Sequence, residues 1–145
     1  MATAKFTVPE TIATIMSTEL NSLADNAGAV SAAQTTDRLF YADLELVVTF
    51  GSAPVAGSLI EVYIARQIDG TNYETYTTGA SGVGPLAGYL GGFPLYAVTS
   101  AQRIILPQIT LAPLDYRLFF LNKSGQAFPS SGSTIKIRRY TEEAV

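Results

Sequence analysis

The stretch Arg38–Ile64, RLFYADLELVVTFGSAPVAGSLIEVYI, decides the fold class. Phe40, Ala42, Leu44, Leu46, Val48 and Phe50 fall on one side of an extended chain, with Tyr41, Asp43, Glu45 and Thr49 among the residues on the other. That period of two is the signature of a half-buried strand. Gly51–Gly57, with Pro54 inside it, breaks the pattern. Ile60, Val62 and Ile64 then resume the apolar face while Glu61 and Tyr63 point away. Two antiparallel strands joined by a turn are expected. If one face of each fills a core, the other face needs a purpose.

Outward from this hairpin, Ala29–Ala33, Leu39–Phe50, Ser58–Gln67, Tyr73–Thr78, Tyr89–Val98, Arg103–Leu111, Asp115–Asn122 and Thr134–Tyr140 read as strands. Breakers such as DGTN, GASGVGPLAG and SGQAFPSSGS separate them. About eight short strands punctuated in this way predict an all-β fold, a two-sheet antiparallel β-sandwich of the jelly-roll kind. Pro94 and Pro107 place their strands at sheet edges or bulges, because proline cannot donate to an inner ladder. STELNSLADNAG predicts one short N-terminal helix: Ser17 or Thr18 caps it, Leu20, Leu23 and Ala27 form its stripe, and Asn26 and Gly28 end it. Residues 1–16 are too irregular to assign and read as an arm, with residues 17–145 as the sandwich domain.

Composition narrows function. Nine basic against 12 acidic residues give a net charge of -3, which argues against a nucleic-acid binder and against a basic membrane-surface patch. With no cysteine and no histidine, the chain lacks thiolate nucleophiles and the commonest general base and metal ligand. No cofactor, no metal site and no catalytic residue is expected, so the chain reads as a non-enzyme. The N-terminus has no continuous apolar core of a secretory signal, which predicts synthesis and use in the cytoplasm. Thr75–Gln102 carries no charge, but its glycines and two prolines would break a spanning helix.

Several constellations have the residue types of a chemical site. Asp43 and Glu45 lie on one strand face about 6–7 Å apart, within reach of the separations used by paired glycosidase carboxylates. A solvated strand face, or a bridge to Lys or Arg, is the expected reading, because glycosidase sites combine residues from different strands around a cleft. DGTNYE offers Asp69, Asn72 and Glu74 as oxygen ligands but lacks the repeated acids of a calcium loop. GVGPLAG has the wrong glycine spacing for a dinucleotide fingerprint and reads as a flexible surface loop, and Lys123–Ser124 is ordinary turn chemistry. In IKIRRYTEEAV, Lys136, Arg138 and Arg139 could set register against an acidic partner or guard a solvated edge. Tyr63, Tyr73, Tyr76, Tyr89, Phe93 and Tyr96 cluster in the middle segment, and tyrosine is enriched at contact surfaces. With 14% charged and 48% hydrophobic residues, some apolar surface is expected to be covered by another protein. The candidate interaction surface is therefore Tyr73, Tyr76, Tyr89, Phe93, Tyr96, Lys136, Arg138 and Arg139.

STELNSLADNAG, LFYADLELVVTFGSAP, GSLIEVYIARQIDGTNYE and DYRLFFLNKSGQAFPSSGSTIKIRRY together resemble the jelly-roll decoration, or cement, proteins of tailed-bacteriophage heads. The resemblance runs from about Thr14 to Tyr140. It implies a small β-sandwich that associates with itself, as a homotrimer or dimer, and binds the major capsid protein on the capsid exterior of a virion assembled in the host cytoplasm. It carries over no binding residue. A glycan-binding jelly roll of a tail or spike, stacking sugars on Tyr73, Tyr76 and Tyr89, and another tail or connector protein are the alternatives.

Overall fold

The computed structural model describes residues 2–35, 37–111 and 113–145. Ten strands follow in order: β1 (Ala4–Phe6), β2 (Ala13–Met16), β3 (Gly28–Val30), β4 (Tyr41–Val48), β5 (Leu59–Arg66), β6 (Tyr89–Pro94), β7 (Gln102–Thr110), β8 (Tyr116–Lys123), β9 (Thr134–Tyr140) and β10 (Glu142–Ala144). One four-stranded sheet has the order β2-β9-β4-β7, a second β3-β8-β5-β6, and β1 pairs with β10 in a two-stranded ribbon. Every pairing is antiparallel.

The alternation in the opening stretch decides which side chains meet. Ala42, Leu44, Leu46 and Val48 of β4 and Ile60, Val62 and Ile64 of β5 are buried in one cluster with Leu118 and Phe120 of β8 and Ile135 and Ile137 of β9. Both four-stranded sheets thus contribute to the same core, a sandwich-like arrangement. Phe50 is also buried, against Phe128 at 5.4 Å between ring centroids. Phe40 departs from the expected inward face and is 44% exposed, because the β4 ladder begins one residue later.

Both proline expectations hold. β6 and β7 are the outer strands of their sheets. Pro107 lies in a bulge, where Leu106 and Ile109 pair with Leu44 and Ala42 and only Asp43 stands between the latter two. The extra residues bend the edge and blunt it against further pairing.

Three expectations need correction. The N-terminal helix is a single 3-10 turn, Thr18–Leu20, ending in Asn21 with extended backbone. Ser17 makes no side-chain cap, and the carbonyls a continuing helix would use are taken elsewhere: Asn122 Nδ2 donates to Leu23 O at 3.0 Å and Ala24 O at 3.1 Å. Tertiary bonds outcompete a helix too short to stand alone. Tyr73–Thr78 forms no strand; it makes isolated bridges at Gln67–Tyr73 and Thr77–Val83 before the chain turns. Residues 13–16, inside the stretch read as an arm, form β2 at the edge of the first sheet.

Strand direction sorts the connections. Residues 17–27, 49–58, 95–101 and 124–133 gather at one end, tied by Ser22 N–H to Pro129 O, Val55 N–H to Ser124 O and Gly57 N–H to Leu95 O. Residues 31–35, 37–40, 67–88, 111 and 113–115 and the terminal ribbon lie at the other, with Gln34 and Tyr116 exchanging backbone bonds there. No helix among the described residues is long and apolar enough to cross a membrane.

Candidate interaction surfaces

The outward face of β2-β9-β4-β7 is a charged lattice. Asp43 and Glu45 of β4 stand in register opposite Arg138 and Lys136 of β9. Opposite charges across a ladder stabilise it by roughly 0.2–1 kcal/mol per pair. Each carboxylate also has a specific task. Asp43 Oδ1 accepts the Gln108 N–H at 2.8 Å, pinning the β7 bulge, and the Tyr140 hydroxyl at 3.2 Å. Glu45 lies 3.5 Å from Arg103. Burial, with the Asp43 carboxylate beside it, pushes the Tyr140 phenol up. The two acids are structural groups of the sheet, which accounts for their spacing without a reaction.

The outward face of β3-β8-β5-β6 is covered by its own chain. Phe119 and Leu121 point away from the main core, yet Phe119 is fully buried and Leu121 nearly so. The crossing from β5 to β6 lies over Phe119. Tyr76 packs on Phe119 at 5.8 Å, Tyr63 on Phe119 at 6.0 Å and Tyr89 on Tyr63 at 5.3 Å. Gly84 sits so close to the Tyr63 ring that a Cβ there would be 2.6 Å from it, and a Cβ on Gly88 would be 2.1 Å from the Ile64 carbonyl oxygen. GVGPLAG is therefore a fitted cover, with Gly84, Pro85 and Gly88 buried, and not the loose loop expected. Burial first, then the hydrogen bond its hydroxyl donates to Glu61 at 2.8 Å, pushes Tyr63 up to about 12.

Arg117 organises the rim of this cover. Its guanidinium lies 4.6 Å from the Tyr73 ring centre and Nη1 donates to the Tyr76 hydroxyl at 3.1 Å. Cation–π stacking of this kind holds an aromatic in place. At the tip, Asp69 accepts hydrogen bonds from the backbone N–H groups of Asn72 and Thr71 and from the Asn72 side chain. Those bonds, the Asn72 backbone first, hold its carboxyl down at about 2. An Asx turn occupies the oxygens that a cation would need. Among the described residues no cluster of three or more acids has metal-binding geometry.

The eight candidate surface residues divide accordingly. Tyr89 and Tyr96 are exposed, at 54% and 71%. Tyr73 and Tyr76 are half-buried with Arg117 and Phe119 against them. Phe93 is fully buried in the core and contacts no solvent, so it leaves the candidate surface. Its alternation with Leu95, also buried, was the signal that could have placed it inward. Lys136 is half-buried and Arg138 exposed on the charged face, where Arg138 Nε donates to Glu10 O at 3.0 Å. Arg139 is not a rim cation. It grips the N-terminal segment, with Nε bonded to Glu10 Oε1, Nη2 to Glu10 Oε2 at 3.2 Å, and Nη1 to the Thr35 carbonyl. Asp37 adds a carboxylate at 3.6 Å. Burial opposes the Arg139 charge, but Glu10 and Asp37 outweigh it and hold its pKa above the usual value.

Two features went unread in the sequence. Gln102, nearly buried, accepts the Tyr96 N–H and donates to the Tyr96 carbonyl, both at 2.9 Å. It locks the loop that displays Tyr96 and Val98. Beside that loop lies an open depression of about 550 Å³ lined by Pro94, Tyr96, Ala97, Arg103 and Ile105 between the edge strands. Asn122, fully buried, ties the 17–27 and 124–133 connections together. Lys123 and Ser124 do not converge: Lys123 Nζ reaches Asn26 Oδ1 at 2.7 Å, whereas Ser124 Oγ turns to Gln126 O at 2.8 Å.

Compared with protein-family models and with curated proteins, the chain matches none.

Proposed function

We propose that the chain is a non-enzymatic structural protein of a tailed-bacteriophage virion, a decoration or cement protein that binds the outer surface of the major capsid protein lattice and stabilises the expanded head. It is assembled in the host cytoplasm, ends on the capsid exterior and works as a homo-oligomer, a trimer or a dimer. The observation that carries this reading is the strand order. The orders β2-β9-β4-β7 and β3-β8-β5-β6, four strands to each sheet, support a jelly-roll reading, and a jelly roll is what the resemblance of Thr14–Tyr140 to phage decoration proteins implies.

Fold alone never specifies function, so the surface must be weighed as well. The ionisable groups weighed for chemistry on sequence grounds, Asp43, Glu45 and Asp69, are engaged in pinning a bulge, a ladder and a turn. What is left exposed is adhesive in character: Tyr96, Val98, Leu86 and Val83 in uncharged loops, and Tyr89 at the start of β6. The deciding experiment incubates purified protein with expanded, undecorated heads. Saturable uptake and greater resistance of the heads to heat are expected, and no uptake would remove the cement reading. Light scattering after size exclusion decides the self-association half, which a monomer at high micromolar concentration would refute.

A further inference from the structure

The N-terminal segment is attached in an unusual way. From Thr3 to Met16 it runs antiparallel to Ile135–Val145, pairing 3 with 145, 4 with 144, 6 with 142, 7 with 141, 10 with 139, 14 with 136 and 16 with 135. Backbone bonds dominate the attachment. Ala2–Phe6, Val8, Pro9 and Thr11–Thr14 are exposed, Thr7 and Glu10 are half-buried, and the first fully buried side chain is Met16. Removing residues 3–14 would therefore take nothing from the core. A register shift between Thr14 and Met16 supplies a pivot, with Met16 as the anchor behind it.

The far part of the segment also overruns the sandwich. β4 reaches Tyr140 of β9 and stops, so β1 and β10 continue as a three-residue, two-stranded ribbon. Such a ribbon is marginal on its own. It leaves Phe6 at 55%, Val8 at 91%, Ile12 at 47% and Val145 at 61% exposed. The side-chain contacts that do specify its seat, Glu10 on Arg139 and Phe6 on Tyr140 at 5.5 Å, are offered identically by every other copy of the chain.

We infer that residues 3–14 are an exchangeable strand, seated on β9 and β10 of the same chain in the monomer and on β9 and β10 of a second copy in a dimer. Exchange restores every bond that leaving breaks, because donor and acceptor are the same sequence. Twelve extended residues reach about 40 Å, enough to cross to a neighbouring copy. Two arms crossing between copies would also lay their exposed apolar side chains against each other. Strand exchange requires no capsid, so it stands or falls separately from capsid binding and deepens only the self-association half of the proposed function.

The absence of cysteine makes the test clean. Ala4 and Ala144 are register partners next to the doubly hydrogen-bonded pair Thr3 and Val145, so they form a non-hydrogen-bonded pair, the close kind that a disulfide can bridge. Ala4→Cys and Ala144→Cys variants are mixed at equal concentration, oxidised mildly and run on a non-reducing gel. Cross-chain disulfide should exceed that of Ala4→Cys mixed with Ser130→Cys, whose thiol lies at the opposite end, by about tenfold or more, because paired strands raise the effective thiol concentration. The oxidised double variant, closed on itself, should stay monomeric where the wild type dimerises. Yield no greater than the Ser130→Cys control, or a closed double variant that dimerises as wild type does, would overturn the exchange. A second mixture, Glu10→Arg with Arg139→Glu, should form a 1:1 dimer more readily than either variant alone, since only exchange restores opposite charges at both seats. Equal dimer in all three samples counts against it.

Discussion

Replacing Asn122 with alanine should lower stability by about 4 kcal/mol, a large change for one exposed-loop anchor, and the structure supplies the terms. The carboxamide is fully buried and donates to Leu23 O, Ala24 O and Gln126 O at 3.0, 3.1 and 2.8 Å, while its oxygen accepts the Ser124 N–H at 3.0 Å. The three carbonyls each keep another donor: Phe128 N–H, Ala27 N–H and the Ser124 hydroxyl. Loss of the two amide protons therefore removes about 1 kcal/mol each. The buried Ser124 N–H loses its acceptor, at about 1–3 kcal/mol, and the small void adds roughly a further fraction of a kcal/mol. Urea unfolding followed by circular dichroism should show a lower midpoint at unchanged slope. Hydrogen exchange should accelerate first at Ser124 and Phe128, with β4 and β9 still protected. Asn122→Asp should be worse at neutral pH, because it sets an oxygen against three carbonyls, and should recover part of its stability as acid protonates it. A loss under about 1 kcal/mol for the alanine variant would refute the assignment of this residue as the tie between the two connections.

Gly88→Ala should destabilise by about 1–3 kcal/mol, because its Cβ would meet the immovable Ile64 carbonyl, and a neutral result in thermal unfolding would show that the 67–88 cover does not press on β5. Tyr116→Phe should be neutral or up to about 1 kcal/mol more stable, since the hydroxyl is buried with no hydrogen-bond partner among the described residues; a clear loss in urea unfolding would reveal a bond to it. Burial, against the opposing charge of Arg139, pushes Tyr116 up to about 12, and Tyr63 rises to the same value. The unfolded phenols ionise near their ordinary pKa of 10 while the folded ones hold their protons, so stability should fall as pH rises from 10 to 12 and be fully present below 10. Absorbance at 295 nm should show Tyr63 and Tyr116 titrating above the ordinary phenol range, and a single uniform titration would contradict their burial. Asp69, held at about 2 by its turn, loses its contribution as pH falls from the usual carboxylate range through that value; a carbon-13 titration near 4 would mean the turn is open in solution.

The parts of the fold legible in the sequence are those where burial acts on one face only. β4, β5 and β9 alternate because water lies on the other side, and Pro94 and Pro107 announce edges because a missing N–H is tolerated there. β8 reads as a strand, but its second buried face carries no local signal, since Phe119 is covered by Tyr76, more than forty residues earlier in the chain. The helix expectation fails for a related reason: Leu20, Leu23 and Ala27 are indeed buried, yet their spacing is met by a 3-10 turn at Thr18–Leu20 and a following loop whose Leu23 and Ala24 carbonyls bond to Asn122. Period two puts Arg139 on the side of Ile135 and Ile137, at the point where that apolar face runs out. Its partner Glu10, 129 residues away, carries no local signal. Of the candidate surface, tyrosine enrichment selected exposed Tyr89 and Tyr96 and half-covered Tyr73 and Tyr76 alike, because composition does not say which ring face is already occupied.

The purpose of the outward faces, open after the first hairpin, now differs between the two sheets. One carries opposite charges in register, which water solvates well and a partner would have to strip. The other is already a dry interface, made by residues 67–88 of the same chain, so no partner can use Phe119 without first displacing that cover. A capsid contact, under the proposed function, therefore falls on the loops and not on the sheet faces. Among them the Tyr96–Val98 loop has the strongest claim: Gln102 fixes it before any partner arrives, so little conformational entropy is lost on docking, and Tyr96, Ile105 and Arg103 beside it are the residue types that concentrate binding energy in a small area.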